Sequence, residues 1–512
     1  MNPLFQRAMR MLNRPESKLA AVCVLLIATV AMLVNVALVS CAMGGRGWSG
    51  GRAGSGAMPP IGAEGEAGPG VIGSGSRTDF GLARIVGEPE VRVRVQAGVD
   101  EVRIGAGVVV GRSNLMGVMV GGPIAMLRVP GEVKLEGGAW VVRIKGGGSE
   151  VGRALEGEGI VLTGEKGSVE VNGVRHVGRI RLVGRSELGD RRFDAVEHVS
   201  LEDYLPGVVG KEMLAGWPRA AYEVQAVCAR SYALHERVRV WSGGASGGLR
   251  SHFDVENNER DQAYGGATNN KVAVQAVRST RGMVLADGDQ LLRAYYSSTC
   301  GGRVGSAKDT WPTGPGYEFN LAGPLQARTR EHACQSASLY RWTQKREKVE
   351  LVARLRAYGE KSQLMVRRIR DLAGIETLSV NADGRPSLYK IIEPGGVWYQ
   401  LSGEQFRLAC NQSVANANAT SSDGIVMGTR VGGLPDIDRK SRVYSGDMEV
   451  DVPRAFGGNV AVMGTTVTIN GRGFGHGVGM CQYCAKGFAE RGEDWRAMLT
   501  RFYPGARVVA AY

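Results

Sequence analysis

Glu212 follows the apolar pair Val208-Val209 and is flanked by Met213, Leu214 and Trp217. A carboxyl among apolar neighbours has its pKa raised by desolvation, which suits it to act as a general acid near neutral pH. Taken alone, however, the same residue beside Lys211 reads more simply as a solvated helix glutamate. Arg230 has a planar guanidinium able to grip a sugar carboxylate or an acetamido oxygen, and a surface ion pair with Glu223 or Glu236 is its plainer role. Cys481-x-x-Cys484 is half of a four-cysteine zinc site, for which Cys300 and Cys334 could supply the other half. Such zinc would be structural, and one or two disulfides are the alternative outside the cytoplasm. His476 sits among Gly473, Gly475, Gly477 and Gly479, a run that lets backbone approach a ligand closely. No Lys-Ser or Lys-Thr pair follows it, so a phosphate loop fits poorly. A dyad of Cys300 or Ser298 with His476 lacks the turn pattern of a nucleophile elbow.

Several of these residues fall in longer motifs. The first is Leu201 to Met213 (LEDYLPGVVGKEM), followed by Ala220 to Leu234 (AAYEVQAVCARSYAL). The second is Ala294 to Gly302 (AYYSSTCGG), ending near Trp311, and the third is Gly471 to Tyr483 (GRGFGHGVGMCQY), followed by Phe502-Tyr503-Pro504-Gly505. A shorter segment joins Phe253-Asp254-Val255 to Asp261-Gln262-Ala263-Tyr264-Gly265-Gly266. In this order and spacing the four resemble the SpoIID/LytB family, the stage II sporulation D proteins and the amidase enhancers, from about Val91 to the C-terminus.

The resemblance implies an extracytoplasmic protein acting on bacterial peptidoglycan. Sporulation members are lytic transglycosylases that cut glycan strands stripped of stem peptides between MurNAc and GlcNAc, leaving a 1,6-anhydro sugar. Their catalytic glutamate falls on Glu212 and their helix arginine on Arg230. Most glycosidases need two carboxylates. This reaction needs one, which protonates the glycosidic oxygen and then takes the proton of the sugar's own 6-hydroxyl. No cofactor is required for it. Tyr296, Ser297 and Ser298 are expected to line the cleft, unless they merely pack a strand at a turn. Asp261, Gln262, Tyr264, His476 and Gln482 are candidate glycan contacts, each equally readable as a satisfied structural group. Two departures stand out. Glu223 occupies a position that is often lysine in sporulation members, and the zinc site of some members is not carried over, because Asp254 to Tyr264 contains neither cysteine nor histidine. The amidase enhancers imply a second role, a non-enzymatic glycan-binding protein that stimulates a cell-wall amidase. A structural envelope protein with a decayed site is a third.

The elements that must position these residues give an α+β expectation. From 80 to 199 the pattern is β: Val91, Val93 and Val95 alternate with charged residues, and Asn172-Gly173 between Val169-Glu170-Val171 and Val174 to Val177 is a strong hairpin signal. Ser200 to Asp203 reads as a capping box opening a short helix that Pro206 and Gly207 disturb. Pro218 can start a second helix, in which Ala220, Val224, Val227, Leu234 and Val238 form an apolar stripe. Helices are also expected over Lys348 to Tyr358 and Asp494 to Arg501, with strands at Trp398 to Leu401, Met448 to Val452 and Thr466 to Ile469.

The 512 residues carry a net charge of +13, which suits an anionic partner such as nucleic acid, a membrane surface or a wall polymer. No nucleic-acid motif and no run of five basic residues is present, so no nucleic-acid partner is expected. The 76 glycines, about twice the usual share, mark linker or turn-rich stretches. Residues 1–40 form a basic and then apolar targeting segment, from Arg7 through Leu19 to Val39. It reads equally as a transmembrane helix or as a lipoprotein signal ending at Leu38-Val39-Ser40-Cys41. Either way it tethers the chain to a membrane with the remainder outside the cytoplasm. Residues 41–79 are a Gly-rich spacer, 80–199 the β-rich N-terminal part and 200–512 the core. Labelling cells with a radioactive fatty acid separates the two anchors: signal on the wild type that disappears in Cys41→Ala identifies a lipoprotein, and signal that persists excludes Cys41 as the sole lipidation site.

Overall fold

A computed structural model describes residues 80–82, 85–113, 125–144, 151–155, 159–164, 167–188, 191–242, 252–414, 440–453 and 466–512. The targeting segment, Cys41 and the spacer lie outside them. Among the described residues no helix is long and apolar enough to cross a membrane.

The alternation of Val91, Val93 and Val95 becomes strand β1 (Glu90–Val99), with the three valines inward. It pairs antiparallel with β2 (Phe193–Ser200), Glu90 opposite Ser200 and Val93 opposite Glu197. These strands belong to a seven-stranded sheet, and a six-stranded antiparallel sheet lies in the same region. The hairpin at Asn172-Gly173 forms as expected, with φ of 52° and 79°, the double positive φ that a two-residue turn of this kind requires.

Helix α1 (Leu201–Glu212) starts at Ser200, whose side chain accepts from the Asp203 N–H. It does not stop at Pro206. Leu205, Val208 and Val209 are fully buried, and that packing outweighs the one backbone bond proline removes. Gly207 answers a steric demand, since a Cβ there would lie 2.2 Å from the Gly266 carbonyl oxygen. Helix α2 (Arg219–Trp241) is buried from Ala221 to Glu236 apart from Glu223, so it is a central helix rather than the one-sided stripe expected. Helix α3 (Lys271–Ser279) is capped by Asn270 and packs on both.

The next strand, β3 (Tyr296–Ser297), pairs in parallel with a segment far along the chain. Parallel pairing needs a long crossover, and here the crossover contains a second hydrophobic core. It is built on α4 (Lys348–Lys361), on Arg341–Glu347 paired with Thr466–Arg472, and on a three-stranded sheet from Gly374 to Ser402. Trp342, Leu355, Ile391, Phe406 and Ile469 are buried there. The chain then returns as β4 (Met480–Cys481), α5 (Gln482–Glu490) and α6 (Trp495–Phe502), all packed into the first core.

The fold is α+β with a β-rich N-terminal region, as expected. Packing follows different boundaries from the division at 199/200. β1 also pairs in parallel with Val255–Glu256, and one continuous core runs from Val91 to Tyr503. The separate core is the segment within 341–472. Alternating patterns reveal strands, but which strands share a core is set by long-range pairing.

Candidate functional site

Glu212 is the last residue of α1 and is partly exposed. Its Oε1 accepts from the Ala263 N–H at 3.0 Å and its Oε2 from the Gln482 side-chain amide at 3.1 Å. Burial pushes its carboxyl above the usual range, and the two hydrogen bonds pull it back only in part. The same Gln482 nitrogen donates to Gln225 Oε1 at 3.2 Å, while Gln225 Nε2 is buried with no partner among the described residues. Gln482 opens α5 and Gln225 lies on α2, so three helices meet at this carboxyl.

Tyr296 stands on the neighbouring strand. Burial first, and then the charge of Glu212, push its phenol well above the usual range. Its hydroxyl accepts from Gln262 Nε2 at 3.1 Å. Trp217 and Tyr483 meet edge to face at 4.9 Å, both partly exposed, and Tyr483 is next to Gln482 in sequence. Tyr483 and Gln225 are the components that sequence reasoning did not single out, and Trp217 entered it only as an apolar neighbour of Glu212. The available signal was weak: Tyr483 lies in a matched motif and Trp217 five residues beyond Glu212.

Other expected site residues make contacts within the fold. Gln262 is buried and satisfied at both ends, accepting from Tyr204 and donating to the Ala229 carbonyl as well as Tyr296. Asp261 accepts from the Tyr232 hydroxyl and the Glu256 N–H. Tyr264 is buried against the Tyr204 ring at 4.8 Å. Ser297 is buried and accepts from the Gly477 N–H, on the face of β3 opposite to Tyr296. Ser298 is partly exposed, and its carbonyl accepts from the Tyr483 N–H at 3.1 Å.

His476 packs on Trp311 and Tyr295, and its Nδ1 accepts from the Val478 N–H at 3.0 Å. Burial lowers its pKa to about 4, so it is neutral at pH 7. The glycines around it answer steric demands of the fold. A Cβ at Gly473 would lie 2.4 Å from Thr299 O and one at Gly479 2.2 Å from Tyr295 O, and both have positive φ.

Arg230 requires the clearest correction. It is fully buried and makes a two-pronged pair with Glu202, Nε to Oε1 at 2.7 Å and Nη2 to Oε2 at 2.9 Å. Its remaining donors go to the Met283 and Val277 carbonyls and to Thr280. It therefore pairs with neither Glu223 nor Glu236 and presents no free N–H to a sugar. Glu223 instead accepts from Arg219 and Ser279.

Cys300, Cys334, Cys481 and Cys484 converge: their sulfurs all lie within 4.8 Å of one another, and all four are buried and free. Among the described residues they are the one such group of metal-ligand type. Cys228 and Cys410 are buried elsewhere.

The chain is similar to several known proteins. The model of a family described as stage II sporulation protein matches residues 189–286, which contain α1, α2 and α3. An uncharacterized protein of Brachyspira hyodysenteriae is 26% identical over 353 residues, 69% of this chain and 77% of its own length. Stage II sporulation protein D of Bacillus subtilis is 26% identical over 62% of this chain and 76% of its own length. The amidase enhancer of Bacillus subtilis is 24% identical over 60% of this chain, and the match covers 40% of that longer protein.

Removing one partner of a buried pair leaves an uncompensated charge, at a cost of about 3–5 kcal/mol. Arg230→Ala should therefore lower stability by about that amount in denaturant unfolding, with much of the loss recovered in the double variant with Glu202→Ala. A variant that keeps wild-type stability yet loses function would return Arg230 to the site.

Proposed function

Because the chain belongs to the SpoIID/LytB family, we propose that its cell-wall function is the cleavage of peptide-free glycan strands as a lytic transglycosylase, with Glu212 as the single acid and base. The observation that carries this reading is the Glu212 carboxyl itself: partly exposed, held from both sides, and raised in pKa by burial.

The protonated carboxyl gives its proton to the glycosidic oxygen as the bond from the MurNAc anomeric carbon breaks, and the GlcNAc leaves as an alcohol. The carboxylate then takes the proton of the MurNAc 6-hydroxyl, whose oxygen closes on the anomeric carbon. Glu212 ends as it began, and no water is consumed. The exposed faces of Trp217 and Tyr483 offer an apolar platform for a pyranose ring. The apolar, basic N-terminal segment supports a tethered position outside the cytoplasm, where this polymer lies.

The amides beside Glu212 can meet both of its protonation states. In the arrangement described, Gln482 donates to a carboxylate and Gln225 Nε2 is unpaired. Turning both amides over lets Gln225 donate to Gln482 Oε1. That oxygen then accepts from a protonated Glu212. In that arrangement Gln482 accepts from the acid form of Glu212 instead of donating to its carboxylate, so the same amide can meet either protonation state.

Similarity to a protein named amidase enhancer favours a second reading, in which the same surface binds glycan without cutting it. Digestion of purified peptide-free strands followed by mass spectrometry separates the two. Wild type should give 1,6-anhydro-ended products. Glu212→Gln should lose at least about a hundredfold in rate, the usual scale of acid–base catalysis, while still binding the strands. Full activity in that variant would remove Glu212 from the mechanism, and intact strands with wild type would leave the binding role. In the pH profile, activity should fall as pH rises through the raised Glu212 pKa, because the acid form is lost. Gln482→Leu, which removes a donor that lowers this pKa, should move that fall to higher pH, and an unmoved profile would exclude Gln482 as a partner of the carboxyl.

A further inference from the structure

We propose that Cys300, Cys334, Cys481 and Cys484 bind one zinc ion that fixes the start of α5, and with it the approach of Gln482 and Tyr483 to Glu212. The metal assignment rests on the sulfur geometry and on none of the functional reading above.

Four thiolates around zinc at about 2.3 Å form a tetrahedron whose edges are about 3.8 Å. Cys300 Sγ lies 3.7 Å from Cys334 Sγ and 3.8 Å from Cys484 Sγ, and all four sulfurs are within 4.8 Å of one another. A disulfide needs about 2.05 Å between two sulfurs and would leave the other pair unused. An iron–sulfur cluster holds its thiolates further apart, around bridging sulfides, so sulfurs this close suit a single ion.

The surroundings are those of a thiolate site. The N–H groups of Cys300 and Cys484 point at Cys481 Sγ, at 3.2 and 3.4 Å, and the Ala333 N–H points at Cys484 Sγ at 3.4 Å. Such donors, together with a histidine held in place by a carboxylate, orient ligands and temper their charge. His332 supplies this here, with Nδ1 3.4 Å from Cys300 Sγ and Nε2 3.6 Å from Asp383 Oδ2. Four thiolates could not share this buried space without a cation, since like charges repel strongly where water is absent.

The ligands also explain what the ion would hold. Cys300 follows β3, Cys481 ends β4 and caps α5, Cys484 lies in the first turn of α5, and Cys334 comes from the loop that packs on that helix. β3 and β4 share only a two-residue parallel pairing, Tyr296 with Met480 and Ser297 with Cys481. Gln482 and Tyr483 lie between two of the ligands, facing Glu212 and Trp217.

The test uses the full-length chain purified without added metal. Elemental analysis should find one zinc ion per chain, and Cys484→Ser should weaken its retention against a chelator at least tenfold. Exchange of cobalt(II) into the wild type, which needs no variant to fold, should give the intense thiolate-to-metal absorption of a tetrahedral tetrathiolate. Removing the metal should speed amide exchange of Cys300, Tyr483 and Cys484 at least tenfold while leaving the second core unchanged. Finding iron instead would overturn the choice of zinc. Finding no metal, no cobalt spectrum and these cysteines as disulfides would overturn the site, and unchanged exchange on metal removal would overturn its hold on α5.

Discussion

The Arg230–Glu202 pair is the constraint from which the position of the carboxyl follows. It joins the first turn of α1 to the middle of α2, and the remaining Arg230 donors reach the end of α3 and the strand after it. Tyr512, the C-terminal residue, also bonds to Glu202. Burial alone would raise the Glu202 carboxyl, and the Arg230 guanidinium more than offsets this, holding it below the usual range. The Glu202 carboxyl is thus held in its ionised form. With Glu202 pinned, α1 carries Glu212 ten residues on, about 15 Å along the axis, to the opposite end of the helix. An arginine that could be taken for a substrate ligand acts instead through the backbone it holds.

The other half of the site arrives from the far side of a long crossover. The second core lies between β3 and β4, yet the crossover must close so that Tyr296 and Gln482 stand on either side of Glu212. Closing so long a loop costs entropy for few local contacts. The glycines from Gly473 to Gly479 reduce the steric part of the problem by letting backbone lie against backbone at Tyr295 and Thr299. The four sulfurs sit at the same seam, which is where a cross-link has most effect.

How much of this was legible in the sequence differs by element. Alternating Val91, Val93 and Val95 and the Asn172-Gly173 turn are local signals, and they mapped directly onto β1 and onto a hairpin of the six-stranded sheet. The helices over Lys348–Lys361 and Trp495–Phe502 were also visible from their patterns. Pro206 misled, because propensity is a weak term beside the burial of Leu205, Val208 and Val209. For Gln262, Asp261 and His476 the sequence left open whether each is a glycan contact or a satisfied structural group. A polar residue within a motif looks the same whether it faces solvent, a ligand or another buried polar group, and only the partners decide. Gln225 illustrates the converse, an unremarked glutamine in an apolar helix that ends beside the carboxyl.

That carboxyl is a balance of two opposed effects. Two donors to an ionised glutamate would by themselves make it a weak acid catalyst, since they stabilise the charge. Burial works the other way and prevails at Glu212. The balance is adjustable because one donor is an amide that can present either end, whereas the Ala263 N–H can only donate. After proton transfer the site must stabilise a carboxylate, and before it an acid. A backbone donor serves the first state, and an amide able to turn over serves both. Such a pairing allows one carboxyl to act first as acid and then as base without a second carboxylate beside it.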